Sequence, residues 1–249
     1  MRALPIRLIC LLSLLIAGSA QAVTMAWTPI GNPGNAGDST GFGAVGYAYN
    51  IGTYEVANAQ YAEFLNAKAA SDPYGLYNPG MATYFGSPSP YGGITRSGSP
   101  GSYTYSAIAG RERWPVIDVS VFDALRFANW MNNGQGSGDT ETGAYTLLGG
   151  TATPTNGDTV TRNAGATIVL TSENEWYKAA YYDSSSSKYF AYPAGSNTPT
   201  TCAAQRGRLS TRSIGGSVWP SGRSMARRPD RSSTCSRGAV ATGRPPRRV

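Results

Sequence analysis

Three stretches of the chain place apolar side chains at the three- and four-residue spacing of an amphipathic helix. In the first, Tyr61, Phe64 and Leu65 lie on one face. Asn58 precedes them and is expected to be the N-cap, because its side chain can accept a hydrogen bond from a free backbone N–H. Ser71-Asp72-Pro73 is expected to stop this helix.

The other two helices are each predicted to begin with a capping box, in which a hydroxyl and an acid three residues later bond each other's backbone. Ser120 and Asp123 open the second helix, and Ser172 and Glu175 open the third. The expected inward-facing residues are Ala124, Phe127, Ala128 and Met131 in the second helix, and Trp176, Ala179 and Ala180 in the third.

Between the helices the pattern predicts only short strands. We expect one strand near Val45–Tyr49, an extended run at Pro115–Val119, and a hairpin of Tyr145–Leu148 with Ala166–Leu170. From Tyr74 to Arg113 the chain is rich in Gly, Ser, Pro and Tyr with little periodicity, which indicates a long surface loop. Its six tyrosines could stack on a sugar or peptide, or could anchor the loop to the domain; they are Tyr74, Tyr77, Tyr84, Tyr91, Tyr103 and Tyr105.

The amino-terminal residues have the order of a secretory signal peptide: basic residues, the apolar run Leu8–Ala17, then Ala20-Gln21-Ala22. Residues 1–22 are therefore predicted to be a signal peptide that is cleaved after Ala22. The apolar run is shorter than the roughly 20 residues that a membrane span requires, and no later segment is long enough. We expect a secreted or periplasmic protein without a transmembrane segment.

The net charge of +7 is unevenly distributed along the chain. Residues 23–202 carry 8 Lys and Arg against 13 Asp and Glu, whereas residues 203–249 carry 11 Arg and one acid, Asp230. The basic character thus belongs to the tail, and a nucleic-acid partner is not expected for residues 23–202.

Few residues are available for catalysis. The chain has no histidine, which removes the commonest general base and the commonest zinc ligand. Paired carboxylates could hydrolyse a substrate, and Asp123, Glu173 and Glu175 are the candidates. Asp123 and Glu175 are better explained as helix caps. Cys202 and Cys235 are 33 residues apart and match no metal-ligand spacing, so we expect no catalytic and no metal site.

Four segments resemble the sulfatase-modifying-factor, or formylglycine-generating enzyme, domain family. They are residues 51–58 (IGTYEVAN), 115–124 (PVIDVSVFDA), 170–180 (LTSENEWYKAA) and 192–195 (YPAG). The sequence departs from the family at Ala57, where threonine is usual, and at Val121, where tryptophan is usual. The resemblance covers roughly residues 45–202, and the pattern is closest to secreted bacterial members.

The resemblance implies an α+β domain with a modified C-type-lectin-like fold, loop-rich and incomplete at its carboxyl end. It also implies a copper-dependent oxidase that converts a protein cysteine into formylglycine, with copper held by two cysteines and with calcium-binding loops. The cysteine pair, the Gly-Asn-Val-Trp-Glu-Trp and Arg-Gly-Gly-Ser segments and the calcium motifs that the family carries in its last third are not found here. Copper and calcium are therefore cofactors of the family rather than assignments for this chain.

Residues 203–249 form an Arg/Ser-rich tail without apolar periodicity. Arginine without lysine is what a GC-rich gene gives when it is translated in a shifted frame, so we hypothesise a frameshift near codon 200; reading the other frames of the gene tests this. The alternative is a basic arm that binds phosphates. A domain without its last third should be marginally stable, because losing several strands removes more free energy than most domains have in reserve.

Two functions remain open at this stage. One is a non-catalytic binding module, in which residues 23–202 display the tyrosine-rich loop to a glycan, a peptide or a secreted protein. The other is a formylglycine-generating oxidase. The absence of catalytic groups favours the binding module, because a fold alone does not identify a function.

Overall fold

The computed structural model describes residues 22–84, 87–88 and 91–199, and for residues 84, 87 and 88 it describes only backbone. Residues 1–21 of the predicted signal peptide, Cys202, Cys235 and the tail therefore lie outside the described residues. The described residues form two compact units, one of residues 22–31 with Tyr47–Ser172 and the other of Asn32–Gly46 with residues 173–199. In the first unit the helices are α1 (Asn58–Lys68) and α2 (Val121–Asn132), and the strands are β1 (Trp27–Ile30), β2 (Tyr49–Gly52), β3 (Thr83–Tyr84), β4 (Ser87–Pro88), β5 (Ile94–Ser97) and β6 (Thr104–Ala107). The second unit contains α3 (Glu173–Tyr181), β7 (Tyr182–Asp183) and β8 (Lys188–Tyr189).

Each described sheet is an antiparallel pair of neighbouring strands. In the first unit, Trp27 pairs with Gly52 in β1–β2, and Ile94 pairs with Ala107 in β5–β6. Small sheets and helices in one unit make this an α+β fold, as predicted. No helix among the described residues is both long and apolar enough to cross a membrane.

The core of the first unit lies where α1 meets α2. Tyr61 and Phe64 of α1 contact Phe127 and Trp130 of α2, with ring centroids 5.3 to 6.0 Å apart. A second apolar cluster lies on the other side of α2, where Leu125 and Ala128 pack with the residues around Tyr145. Because α2 is covered on two sides, every residue from Leu125 to Met131 is buried. The predicted inward positions of α2 are confirmed except for Ala124, which is only half-buried.

The predicted cap of α1 is wrong. Asn58 is the first residue of the helix, and the N-cap is Ala57. The Gln60 side chain accepts a hydrogen bond from the Ala57 N–H, while the buried Asn58 amide donates to the Arg111 carbonyl oxygen. Asn58 thus fixes a distant chain segment rather than its own helix. The cap of α2 is confirmed: Asp123 accepts a bond from the Ser120 N–H, and the Ser120 oxygen accepts one from the Asp123 N–H.

The long loop is more ordered than its composition indicated, because it contains the β5–β6 hairpin. Two of its tyrosines, Tyr77 and Tyr105, are buried in the core. The Tyr105 hydroxyl donates to the Ala69 carbonyl oxygen, and burial raises the pKa of Tyr105 to about 12. These residues anchor the loop to the domain, whereas Tyr91 is 60% exposed.

The predicted hairpin of Tyr145–Leu148 with Ala166–Leu170 is wrong. Tyr145 instead forms an isolated bridge with Arg162. Its backbone N–H donates to the buried Asn129 side chain at 2.7 Å, and its hydroxyl accepts a bond from the Leu170 N–H. Side chains therefore satisfy the backbone groups that strand pairing would have satisfied.

The second unit is built on α3, where the prediction for Trp176 is wrong. Trp176 is 39% exposed, and the buried side chains are Glu175 and Lys178. The Lys178 ammonium donates to the Asn32 carbonyl oxygen at 2.9 Å, and burial lowers the pKa of Lys178. Within the same unit, Gly43 has a φ of 89° and lies so close to the Tyr189 ring that an added Cβ would be 2.5 Å from the hydroxyl.

Candidate functional site

An open cleft of about 720 Å³ lies in the first unit, beside the amino-terminal end of α2. Three chain segments line it: 74–79 from the tyrosine-rich loop, 118–123 at the start of α2, and 152–153. Two carboxylates, Asp118 and Asp123, are among the lining residues, and none of the lining residues in the described part of the chain is a lysine or an arginine. The cleft therefore combines aromatic walls with negative charge.

Asp118 is the polar group that the fold leaves available. It is exposed and makes no hydrogen bond or ion pair with any other described residue. Its φ of 57° places the backbone in the left-handed region, which is uncommon for residues other than glycine, asparagine and aspartate. An atom of its carboxylate lies 2.6 Å from where a Cβ on Gly80 would be, so the absence of a side chain at Gly80 gives it room.

Asp123 has a structural task that Asp118 lacks. Its carboxylate accepts bonds from both the backbone N–H and the hydroxyl of Ser120, at 3.1 and 2.6 Å. Burial is the main cause that raises the pKa of Asp123, and the hydrogen bonds from Ser120 oppose this shift. These contacts fit the expectation that Asp123 is a cap.

Arg126 holds the cleft wall from behind. Its guanidinium is fully buried and lies 4.3 Å from the centroid of the Tyr74 ring. The same group donates to the carbonyl oxygens of Thr151 and Ala152, at 2.7 and 2.9 Å. One side chain therefore positions two of the three segments that line the cleft.

The 74–79 segment is fixed by a second acid and a second arginine. Asp72 accepts hydrogen bonds from the backbone N–H groups of Leu76 and Tyr77, and Arg96 lies 3.6 Å from its carboxylate. The Arg96 guanidinium also lies 4.8 Å from the centroid of the Tyr77 ring. One face of each lining tyrosine is thus covered by an arginine of the protein itself.

The remaining polar side chains of the cleft are neutral. The Asn78 oxygen accepts a bond from the Gly80 N–H, which leaves its amide NH₂ group for a ligand. Thr153 adds a hydroxyl, whereas the Ser120 hydroxyl is already bonded to Asp123. A free carboxylate, an amide and a hydroxyl beside aromatic rings can exchange several hydrogen bonds with a polyhydroxylated molecule.

The other predicted candidates do not join this cleft. Glu173 is exposed and Glu175 is buried, and both belong to the second unit, whereas Asp123 belongs to the first. Among the described residues no three His, Cys, Asp or Glu side chains come together as a metal site would require. The described residues include no cysteine, so the thiolate pair that the family uses for copper is not among them.

Residues 43–232 match the family described as sulfatase-modifying factor enzyme 1-like domain. The chain belongs to this family. The matched range ends 30 residues beyond Cys202, near which the resemblance was expected to end. A search of curated proteins finds no match for this sulfatase-modifying-factor domain. A search of solved structures also finds no match.

Sequence reasoning did not locate the cleft of this sulfatase-modifying-factor domain. Tyr74 and Tyr77 were singled out as members of the tyrosine-rich loop, and both line it, but Asp118 was seen only as part of a family motif. The signal that could have found Asp118 is an acid between apolar neighbours, Ile117 and Val119, just before a helix cap.

Proposed function

We propose that the protein is a secreted or periplasmic, non-catalytic member of the family that binds a neutral saccharide in this cleft. The observation that carries the proposal is the Asp118 carboxylate, which is exposed in a cleft with aromatic walls and makes no bond to another described residue. A carboxylate accepts hydrogen bonds from two neighbouring sugar hydroxyls at once, and such charge-assisted bonds are among the strong ones. We include in this proposal that the domain has the C-type-lectin-like fold, which the family match implies.

Charge argues against an anionic ligand. Asp118 and Asp123 would both repel it, and no lysine or arginine is among the described residues that line the cleft. A cationic peptide would gain from the two acids, but it would also seek aromatic faces for cation–π contacts. Arg126 and Arg96 already occupy one face each of Tyr74 and Tyr77. A neutral ligand with many hydroxyl groups suits the remaining amide and hydroxyl side chains better.

A binding array tests the proposal. It carries neutral oligosaccharides, sialylated or sulfated oligosaccharides, and lysine- or arginine-rich peptides. Binding to neutral oligosaccharides that is weaker in Asp118→Asn would support it. Preference for acidic glycans would contradict it. If the protein prefers the basic peptides, the cleft is still a binding site, but its ligand is not a saccharide.

A further inference from the structure

Val23 is held in the first unit by one side chain. The Gln135 side-chain oxygen accepts a hydrogen bond from the Val23 nitrogen at 2.6 Å, and the Gln135 amide donates to the Val23 carbonyl oxygen at 2.8 Å. The Val23 side chain is buried in the same apolar cluster as Trp130 and Met131 of α2. Ala22, the residue before it, is exposed.

Gln135 is placed for this contact by the end of α2. Gly134, with a φ of 82°, donates to the Met131 carbonyl oxygen, and the Gln135 N–H donates to the Trp130 carbonyl oxygen at 2.8 Å. This is the pair of bonds of a Schellman motif, which ends a helix and fixes the direction of the chain after it. The Trp130 indole also donates to the Gly136 carbonyl oxygen at 3.0 Å.

Gln135 itself has a φ of 66°. A residue other than glycine rarely adopts this conformation, and the surrounding bonds are what hold it there. The end of α2 therefore holds the Gln135 side chain in place, so that its oxygen and its NH₂ group both face the backbone of Val23.

We infer that Gln135 is a binding site for a free amino terminus, and that hydrolysis between Ala22 and Val23 creates this terminus. A signal-type endopeptidase would add water across the peptide bond, so that Ala22 keeps a carboxylate and Val23 gains an α-amino group. The protonated amine donates to the Gln135 oxygen as a charge-assisted hydrogen bond. The cleavage site is expected from the sequence, whereas the contact with Gln135 is not. Both rest on the export of the protein that the proposed function includes, and neither depends on the saccharide.

Burial of the first mature residue has a consequence for the exported protein. An aminopeptidase must bind the amino terminus in an extended form. Val23 is not accessible in that form, because its side chain is buried and its backbone makes two bonds to Gln135. Processing would thus yield an amino terminus that resists further trimming and reacts slowly with amine reagents.

The experiment exports the full chain from a bacterium, identifies its first residue by mass spectrometry, and measures the rate of α-amine labelling near neutral pH. We expect Val23 as the first residue, and a labelling rate at least tenfold higher in Gln135→Ala than in the unaltered protein. Gln135→Glu keeps the acceptor and should remain slow. If Gln135→Ala fails to fold, the comparison of Gln135→Glu with the unaltered protein still applies, since fast labelling of Gln135→Glu would contradict the inference.

The matched control is Asn66→Ala. Asn66 makes the same two-bond contact with a different backbone residue: its amide donates to the Tyr105 carbonyl oxygen, and its oxygen accepts from the Tyr105 N–H, both at 2.8 Å. Loss of this contact should leave α-amine labelling slow. A first residue other than Val23, or equal labelling rates in Gln135→Ala and Asn66→Ala, would overturn the inference.

Discussion

The Nε atom of Arg126 lies 2.7 Å from the Glu141 Oε1 atom, and the second carboxylate oxygen of Glu141 lies 3.1 Å from Arg126 Nη2. The pair is bidentate, and the arginine is fully buried while the Glu141 side chain is 18% exposed. Arg126 is the residue that positions Tyr74 and Ala152 in the cleft wall. The ion pair thus connects the stability of the first unit with the shape of its cleft.

Glu141→Ala should lower the free energy of unfolding by about 3 kcal/mol, because it leaves the buried Arg126 guanidinium without its counter-charge. Glu141→Gln keeps an oxygen acceptor and should lower it less. Chemical denaturation followed by tryptophan fluorescence measures both values. Equal stability of Glu141→Ala and the unaltered protein would show that the pair contributes nothing.

Gly93→Ala should destabilise the first unit. A Cβ at Gly93 would be 1.9 Å from the side-chain nitrogen of Asn58, and Asn58 is buried and bonded to Arg111. Forcing extra atoms into a packed interior costs about 1–3 kcal/mol. Gly31→Ala is the control, because nothing lies within 4 Å of the added Cβ and its φ is ordinary. Thermal unfolding distinguishes the two, and a Gly93→Ala variant as stable as Gly31→Ala would contradict the packing described here.

Tyr177→Phe should raise the pKa of Asp38. The Tyr177 hydroxyl donates a short hydrogen bond to the Asp38 carboxylate, and this bond is the largest cause that lowers the pKa of Asp38. A lowered pKa stabilises the folded protein above the ordinary aspartate value of about 3.9, and that stability is lost as the pH falls through the folded-state pKa.

Carbon NMR of the Asp38 carboxyl group during an acid titration measures this shift. Tyr189→Phe serves as the control, since the Tyr189 hydroxyl donates to the Ala36 carbonyl oxygen rather than to Asp38. We expect the midpoint to move upward in Tyr177→Phe and to stay in place in Tyr189→Phe. An unchanged midpoint in both variants would show that Tyr177 does not control the charge of Asp38.

The apolar spacing of the sequence predicts the three helices. It does not predict which positions are buried where a polar side chain is held in the interior by a hydrogen bond. The pattern assigned Trp176 to the inside of α3, but the buried positions carry Glu175 and Lys178, and Lys178 finds a carbonyl partner in the loop that begins at Asn32. A charged side chain with a distant partner gives no local signal of burial.

The cleft was beyond prediction for a related reason. Two of its three lining segments are held by Arg126, whose partners are far apart in the chain: Tyr74 on one side and Thr151 and Ala152 on the other. The alternation of polar and apolar residues reveals helices and strands, but it does not reveal contacts of this length.

Deletion of residues 200–249 should leave the first unit folded. Its buried apolar residues run from Val23 to Leu147, and the partly buried ones packed against them end at Leu170. A cooperative near-ultraviolet transition, with a midpoint within a few degrees of the full chain, is the expected result. Loss of that transition on deletion would show that the tail supplies part of the core.

The central claim, that the cleft binds a saccharide through Asp118, is tested most directly by titration calorimetry with the best neutral oligosaccharide from the array. Asp118→Gly should keep the free energy of unfolding within about 1 kcal/mol, since relief of the left-handed backbone offsets the greater freedom of glycine in the unfolded chain. Affinity should fall about 10- to 100-fold, the usual effect of losing a hydrogen bond to a charged group. Asp158→Asn, a change at an exposed aspartate outside the cleft, should bind normally. Unchanged affinity in a folded Asp118→Gly variant would contradict the claim.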